Sequence, residues 1–258
     1  MESQESANPV EPVAEPVADE AGEPELEPAA EPAPAPAAVL RAEHVGVRRG
    51  RTWMLAPTTV EVTAGELVIV HGDPGHGHTA LALALAGRLV PDEGTVTLDG
   101  RADARALQSA VALVDVPGVS EPDDVNRLRT ILGEELAMAR LKHSRDDVRR
   151  WLDAHRLGAH ADDRMEDLPT GARVAALAEV AAERPGVQFL VLTLPETRGG
   201  VPEDWLPGLT GLTNEGFGVL VTTSDGVARH LPHAKVRLGN AADALEATLE
   251  TEGQGDVA

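Results

Sequence analysis

The chain has 258 residues with 43 acidic against 22 basic, a formal charge of -21, and no cysteine or tyrosine. The length suits one α/β domain or two small ones; the missing cysteines exclude disulfides and thiolate metal sites. The acidic excess repels nucleic acid and anionic lipid, so neither is expected as a partner.

Residues 1–38 form a Pro/Glu/Ala tract with no basic residue, too poor in large apolar side chains to offset chain entropy, and are expected to be disordered. The opening "MESQESANPV" shows neither a basic nor an apolar signal region. No apolar run approaches the ~18 residues of a membrane span, so direct insertion is not expected. "VLRAEHVGVRR" and "MLAPTTVEVTAG" alternate apolar and polar residues and predict two antiparallel strands. "ELVIVHG" is a continuous apolar run, as in a strand buried on both faces. A glycine-rich loop follows, then a helix over "HTALALALAGRLV" with Gly87 near its end. "GTVTLDGR" predicts a strand and turn, "VALVDV" a buried strand, and Glu121 to about Asp167 a charged helical stretch. "TGARVAALAEVAAERPG" predicts a helix stopped by Pro185 and Gly186. "VQFLVLTLP" and "GFGVLVTTS" read as buried strands flanking a helix at "PEDWLPGLTGL", and "AKVRLGN" as a closing strand. Apolar strands alternating with helices imply an α/β fold with a mostly parallel core sheet. Residues 242–258 are expected to be a second disordered tail.

From about Val39 to Ala241 the order and spacing of these segments resemble the ATP-binding subunits of ABC transporters. "VHGDPGHGHTALALALAGRLVPDEGTVTLDG" matches the family's strand, P-loop, helix and turn almost position by position. "VALVDVPGVSEP" falls at the glutamine loop, "LPTGARVAALAEV" at the signature motif, "FLVLTLPET" at Walker B and "GVLVTTSD" at the switch histidine. The resemblance implies a P-loop NTPase-like domain over 39–241. It would carry an antiparallel β subdomain, a mostly parallel core sheet and a helical subdomain at about 119–168.

Site by site, the resemblance implies nucleotide binding by Gly72, Asp73, Pro74, Gly75, His76, Gly77, His78, Thr79 and Ala80. Glycines at 72, 75 and 77 admit positive φ and turn backbone N–H groups inward as an anion nest. The helix start adds its positive end. ATP is the implied ligand, weakly held, with Mg²⁺ ligated through the Thr79 hydroxyl. His78 stands where the family has lysine. It is shorter and, with an ordinary pKa of about 6.5, mostly neutral at pH 7, though a bound phosphate would raise that value. Thr193 and Leu194 fall at the Walker B aspartate and glutamate; neither can hold hydrated Mg²⁺ by charge or polarise a water. Glu196 lies beyond Pro195, out of register, and is not expected to substitute. The signature loop is Leu168, Pro169, Thr170, Gly171 and Ala172, with Pro169 in the serine's place and lacking a donor, while Gly171 at the helix start keeps some anion affinity. Ser224 replaces the switch histidine, Val116 the glutamine. Arg49 and Trp53 are the candidates for stacking on adenine. His71, His76 and His78 contain a His-x-His pair, but without converging ligands no metal site is assigned.

The residues are therefore expected to keep the fold and lose most of the reaction, leaving no catalytic residue assigned. The expected role is an accessory or regulatory ATP-binding subunit of a transport or export system. It would lie in the cytoplasm beside a multi-span membrane protein, as a homodimer or paired with another ATP-binding subunit. An active ATPase subunit and a nucleotide-free docking scaffold are the alternatives.

Overall fold

Two alternating segments at the start of the globular region meet as a hairpin. In the computed structural model, which describes residues 37–241, β1 (Val39–Arg49) and β2 (Thr52–Thr63) pair antiparallel with Arg48 opposite Trp53. β3 (Leu67–His71) leads through the glycine loop into α1 (His78–Leu85). β4 (Glu93–Leu98) returns to the other edge of β1, completing a three-stranded antiparallel sheet in the order β2-β1-β4. α2 (Ala104–Ala110) and β5 (Val111–Val114) follow, then α3 (Leu128–Met138), α4 (Arg145–Ala154) and α5 (Thr170–Ala182). β6 (Phe189–Thr193), α6 (Pro202–Asn214), β7 (Gly218–Thr223), α7 (Asp225–Ala228) and β8 (Ala234–Arg237) close the chain.

β5, β6, β7, β3 and β8 lie side by side in that order, all parallel. The apolar runs of β3, β5, β6 and β7 are continuous because these strands bury both faces, whereas β8 at the edge is exposed. Val68, Val70, Val111, Leu113, Phe189, Val191 and Leu220 pack toward α1 and the antiparallel sheet. Ile69, Ala112, Val114, Leu190, Leu192, Val219 and Val221 pack toward α3, α4, α5 and α6. α1 is apolar around most of its circumference because it lies between the two sheets, with Leu81, Ala82 and Leu85 fully buried.

The helix ends follow local rules. Gly87 takes φ 62, and Arg88 and Gly87 donate to Leu83 O and Ala84 O, the paired bonds of a glycine C-terminal cap. Ser144 caps α4 through the Asp147 N–H, and the Asp147 carboxylate accepts from the Ser144 N–H at 3.0 Å. Asp103 caps α2, a helix absent from the sequence reading; its oxygen accepts from Arg105 N at 2.8 Å. The charged stretch becomes helical at Leu128 rather than at Glu121; the residues between include a turn that Asp123 stabilises by accepting from Val125 N. The antiparallel sheet, parallel core sheet and helical region of the expected fold are all present. The proposed tails fall outside the described residues, except that Ala38 already joins the fold by accepting from Ala64 N at 2.8 Å.

Candidate functional site

Parallel register brings three loops to one edge of the core sheet. Thr193 at the end of β6 stands beside Thr222, and Thr223 beside His71 at the end of β3. Gly72 N donates across this edge to Thr223 O at 3.2 Å. The loops beginning at Gly72, Leu194 and Ser224 therefore open together, the place where α/β sheets bind ligands.

Gly75 and Gly77 adopt φ 91 and 98. Gly72 does not adopt positive φ, which corrects the expectation of three such glycines. Leu238 packs closely on it: a Cβ would stand 3.0 Å from Leu238 Cδ1. Gly77 presses on β2, with Met54 O only 2.4 Å from where its Cβ would lie. No side chain caps α1, so its first N–H groups, at His78, Thr79 and Ala80, keep their orphan character. Asp73, Pro74 and His76 are exposed on the loop, and Thr79 is half-buried at the helix start.

His78 is 4% exposed, and its Nε2 donates to Gly72 O and Asp73 O at 3.2 and 3.3 Å. Its Nδ1 is buried without a partner. Burial pushes the imidazole below its ordinary value, outweighing the two carbonyl bonds and the charge of Glu196, which act upward. His78 is thus a neutral donor serving its own loop in the free protein. His71 points to the other face, where Nδ1 meets Asp225 Oδ1 at 2.7 Å. The bond to His71, reinforced by Arg237 and Arg229, holds Asp225 below the usual carboxylate range. The three histidines of the loop therefore do not converge.

At the Walker B position, Thr193 is 4% exposed with an unpartnered hydroxyl, and so is Thr222 at 0%. Strand alternation aims both at the α1 side, the face shared with Val191 and Leu220. Leu194 takes φ 48 and ψ 51, donates its N–H to Thr222 O at 2.7 Å, and offers no polar side-chain atom. Glu196, set aside on sequence register, comes back to the edge because Pro195 starts a 3₁₀ turn. Its Oε1 accepts from Thr223 Oγ1 and from Ser224 N, both at 2.7 Å, while Oε2 is buried without a partner.

Of the signature-position residues, Leu168 and Thr170 turn inward and Pro169 is exposed. Leu168 is buried, Pro169 is the residue before α5, and Thr170 donates its hydroxyl to Gly199 O at 2.7 Å. Gly171 admits α6: its Cβ would lie 2.3 Å from Asp204 O. Ala172 packs beside it on the helical core. Of the two adenine candidates, Trp53 has the Arg48 guanidinium 3.8 Å over its ring, and Arg48 is held by Glu93 at 2.8 Å. Arg49 is exposed on the hairpin opposite Thr52.

Val116 is fully buried, and Asp115 before it pairs with Arg173 of α5, which is 2% exposed. Arg173, Asp124 and Arg198 were not singled out by sequence reading. The available signal was an arginine inside the otherwise apolar "ARVAALA".

The ABC transporter family profile matches residues 55–190, more than half of the chain. An ABC transporter ATP-binding protein of Halobacterium salinarum is 31% identical over 187 residues, 69% of this chain and 79% of that protein. The chain belongs to the ABC transporter family. A hemin import ATP-binding protein of Pseudomonas fluorescens is 37% identical over 113 residues, 43% of each chain, so this chain aligns with less than half of that relative. The crystal structure of a nucleotide-free ATP-binding cassette from an ABC transporter superposes with TM-score 0.59 at 16% identity, covering 78% of this chain and 88% of that one. An ADP conformation of another cassette gives 0.59 at 18% identity, covering 78% and 87%. At such identities these structures speak for the fold.

The ABC family binds ATP with Mg²⁺, and the fit here is partial. The uncapped α1 start, Gly75 and Gly77, and the orphaned hydroxyls of Thr193 and Thr222 suit a phosphate. Trp53, with one face taken by Arg48, does not suit a purine in this arrangement.

Proposed function

We propose that this chain is a catalytically degenerate ATP-binding subunit of an ABC transport system, holding nucleotide weakly and hydrolysing little or none. The observation that carries this reading is His78: the side chain in the lysine's place is buried, neutral and engaged with Gly72 O and Asp73 O. Loop N–H groups and Thr79 would hold the phosphates and Mg²⁺, which when bound would screen phosphate charge. Thr193 offers the metal no charge, and Leu194 cannot orient a water. Phosphoryl transfer depends on positioning and charge stabilisation together, so losing these groups jointly leaves little turnover.

The chain would act as an accessory or regulatory subunit at the inner face of a membrane, docked on a multi-span protein and dimerised with itself or with a competent ATP-binding subunit. No helix among the described residues is long and apolar enough to cross a membrane. Relatives named for hemin, nickel and phosphonate import favour import over export as the direction of the system. The inward-turned Thr170 and the covered face of Trp53 favour a second reading, a nucleotide-free scaffold.

Steady-state phosphate release decides the first point. The expected result is release far below the usual ~1–10³ s⁻¹ of enzymes, and robust Mg²⁺-dependent turnover abolished by Thr79→Ala would overturn it. Calorimetry with Mg·ATP and Mg·ADP decides between weak binding and the scaffold.

A further inference from the structure

We propose that the Glu196 carboxylate is a built-in stand-in for a terminal phosphate, so that the loop after β3 takes a nucleoside diphosphate in preference to a triphosphate. The inference rests on the reading that this loop binds nucleotide, and it names which nucleotide.

Glu196 does not sit on the loop; it reaches the loop edge from the turn after β6. Two donors at the end of β7, Thr223 Oγ1 and Ser224 N, already converge on its Oε1 at 2.7 Å each. A carboxylate thus occupies the acceptor position at the switch residue. Its second oxygen is buried and unpartnered, in company with buried His78 Nδ1, Thr193 Oγ1 and Thr222 Oγ1. These four atoms are a majority of the seven unpartnered buried side-chain polar atoms among the described residues. Native interiors leave few such atoms without a reason; here Thr193 and Thr222 stand side by side at the end of the core sheet, His78 opens α1, and Glu196 is held at the neighbouring Thr223.

The carboxylate is also held beside the loop: the carbonyl of Thr223, whose hydroxyl anchors it, accepts from Gly72 N at 3.2 Å. His78 holds the position from which a P-loop lysine reaches the β- and γ-phosphates, and the charge of Glu196 is felt at His78. In this chain no lysine ammonium and no aspartate-held cation would separate Glu196 from a third phosphate. Two like charges in a poorly screened pocket repel. A diphosphate stops one phosphate short. It can use the N–H groups around Gly75, Gly77 and the α1 start while Glu196 keeps its bonds to Thr223 and Ser224.

Titration calorimetry of the full chain with Mg·ADP and Mg·ATP, wild type beside Glu196→Gln, tests this. Glutamine keeps an oxygen for Thr223 and Ser224 and removes the charge. Expected are ADP binding about tenfold tighter than ATP in the wild type, and a gain of about tenfold for ATP in Glu196→Gln with ADP little changed. ATP preference in the wild type, or an unmoved ratio in the variant, would overturn the proposal. If wild type binds neither nucleotide and Glu196→Gln gains ATP, the proposal stands. If neither protein binds either nucleotide, the nucleotide reading itself falls and takes the proposal with it; binding of ADP with an unmoved ratio sinks the proposal alone. Should the variant fail to fold, salt supplies the test in the wild type. Screening should raise ATP affinity relative to ADP, whereas in a site that attracts the third phosphate it would do the reverse.

Discussion

Arg173 and Asp115 meet side-on, Nε to Oδ2 at 2.7 Å and a terminal nitrogen to Oδ1 at 2.8 Å. The other terminal nitrogen reaches Asp124 Oδ1 and Met165 O, both at 3.0 Å. Asp115 follows β5 with φ 51 and Arg173 lies on α5, while Asp124 and Met165 flank the helical region. One buried side chain therefore ties the core sheet to α5 and to the helices beyond it. The fork geometry is one that arginine provides and lysine does not.

Removing the arginine should leave the Asp115 carboxylate, whose side chain is 10% exposed, without its cation. Arg173→Leu is expected to destabilise by about 3–5 kcal/mol, the usual consequence of orphaning a buried charge. Adding Asp115→Asn should recover part of that loss, visible in a denaturant double-mutant cycle. Additive single effects would show that the two residues are not coupled.

The same cluster predicts acid sensitivity. Partial burial disfavours ionised Asp124, but Arg173 and Arg198 outweigh it and hold the carboxyl below its usual range. A depressed folded pKa means stability that is fully present above the unfolded value of about 3.9 and is lost as pH falls through the folded value. Melting followed from pH 5 to pH 2 should show a loss that is smaller in Asp124→Asn; equal slopes would remove Asp124 from the account.

His78 gives a signature of the same sign at higher pH. Its folded pKa is lowered by burial, so the unfolded chain takes up a proton below about pH 6.5 while the folded chain resists. This cost is absent above that pH and grows as pH falls toward the folded value. Chemical denaturation at pH 7.5 and pH 5.5 should therefore show a wild-type loss that His78→Gln lacks, since glutamine can still donate to Gly72 O and Asp73 O.

The sequence made the strands, α1 and its glycine cap readable because continuous apolar runs and a Gly87 punctuation are local signals. α2 escaped because seven residues give too little periodicity, although Asp103 is an ordinary N-cap. The site was legible in its gaps, His78, Thr193, Leu194 and Ser224, and not in its contacts. Glu196 reads as out of register on a straight strand; a left-handed Leu194 and a 3₁₀ turn at Pro195 bring it back. Gly72 and Gly171 look like phosphate glycines in sequence, and they also pack against Leu238 and Asp204, which are distant in the chain. Pair geometry of this kind is tertiary, so no window of sequence contains it.

Glu179 carries a further test. It is half-buried near Glu215 and Glu183; burial raises its pKa most, those neighbours add to the shift, and His155 opposes them. A folded pKa above the unfolded one means the charged form is disfavoured in the folded state, so stability falls as pH rises through that interval. Glu179→Gln should stabilise the protein at pH 7 and make little difference at pH 3. A destabilised variant at pH 7 would show that the carboxylate has a partner this reading omits.

Restoring the missing groups tests the degenerate reading from the other side. His78→Lys puts an ammonium in the place of a ring that meets Gly72 O and Asp73 O, and is expected to tighten Mg·nucleotide binding by about tenfold, one charge-assisted contact in a confined site. It should not restore turnover, because Thr193 still offers a metal no charge and Leu194 still orients no water. Thr193→Asp with Leu194→Glu should fail as well, for want of the lysine. Only the triple substitution is expected to release phosphate above background, since groups that act as a unit contribute non-additively. Turnover restored in full by His78→Lys alone would show that Glu196 already serves as the water-orienting carboxylate. The chain would then be one substitution from an enzyme rather than stripped of its chemistry.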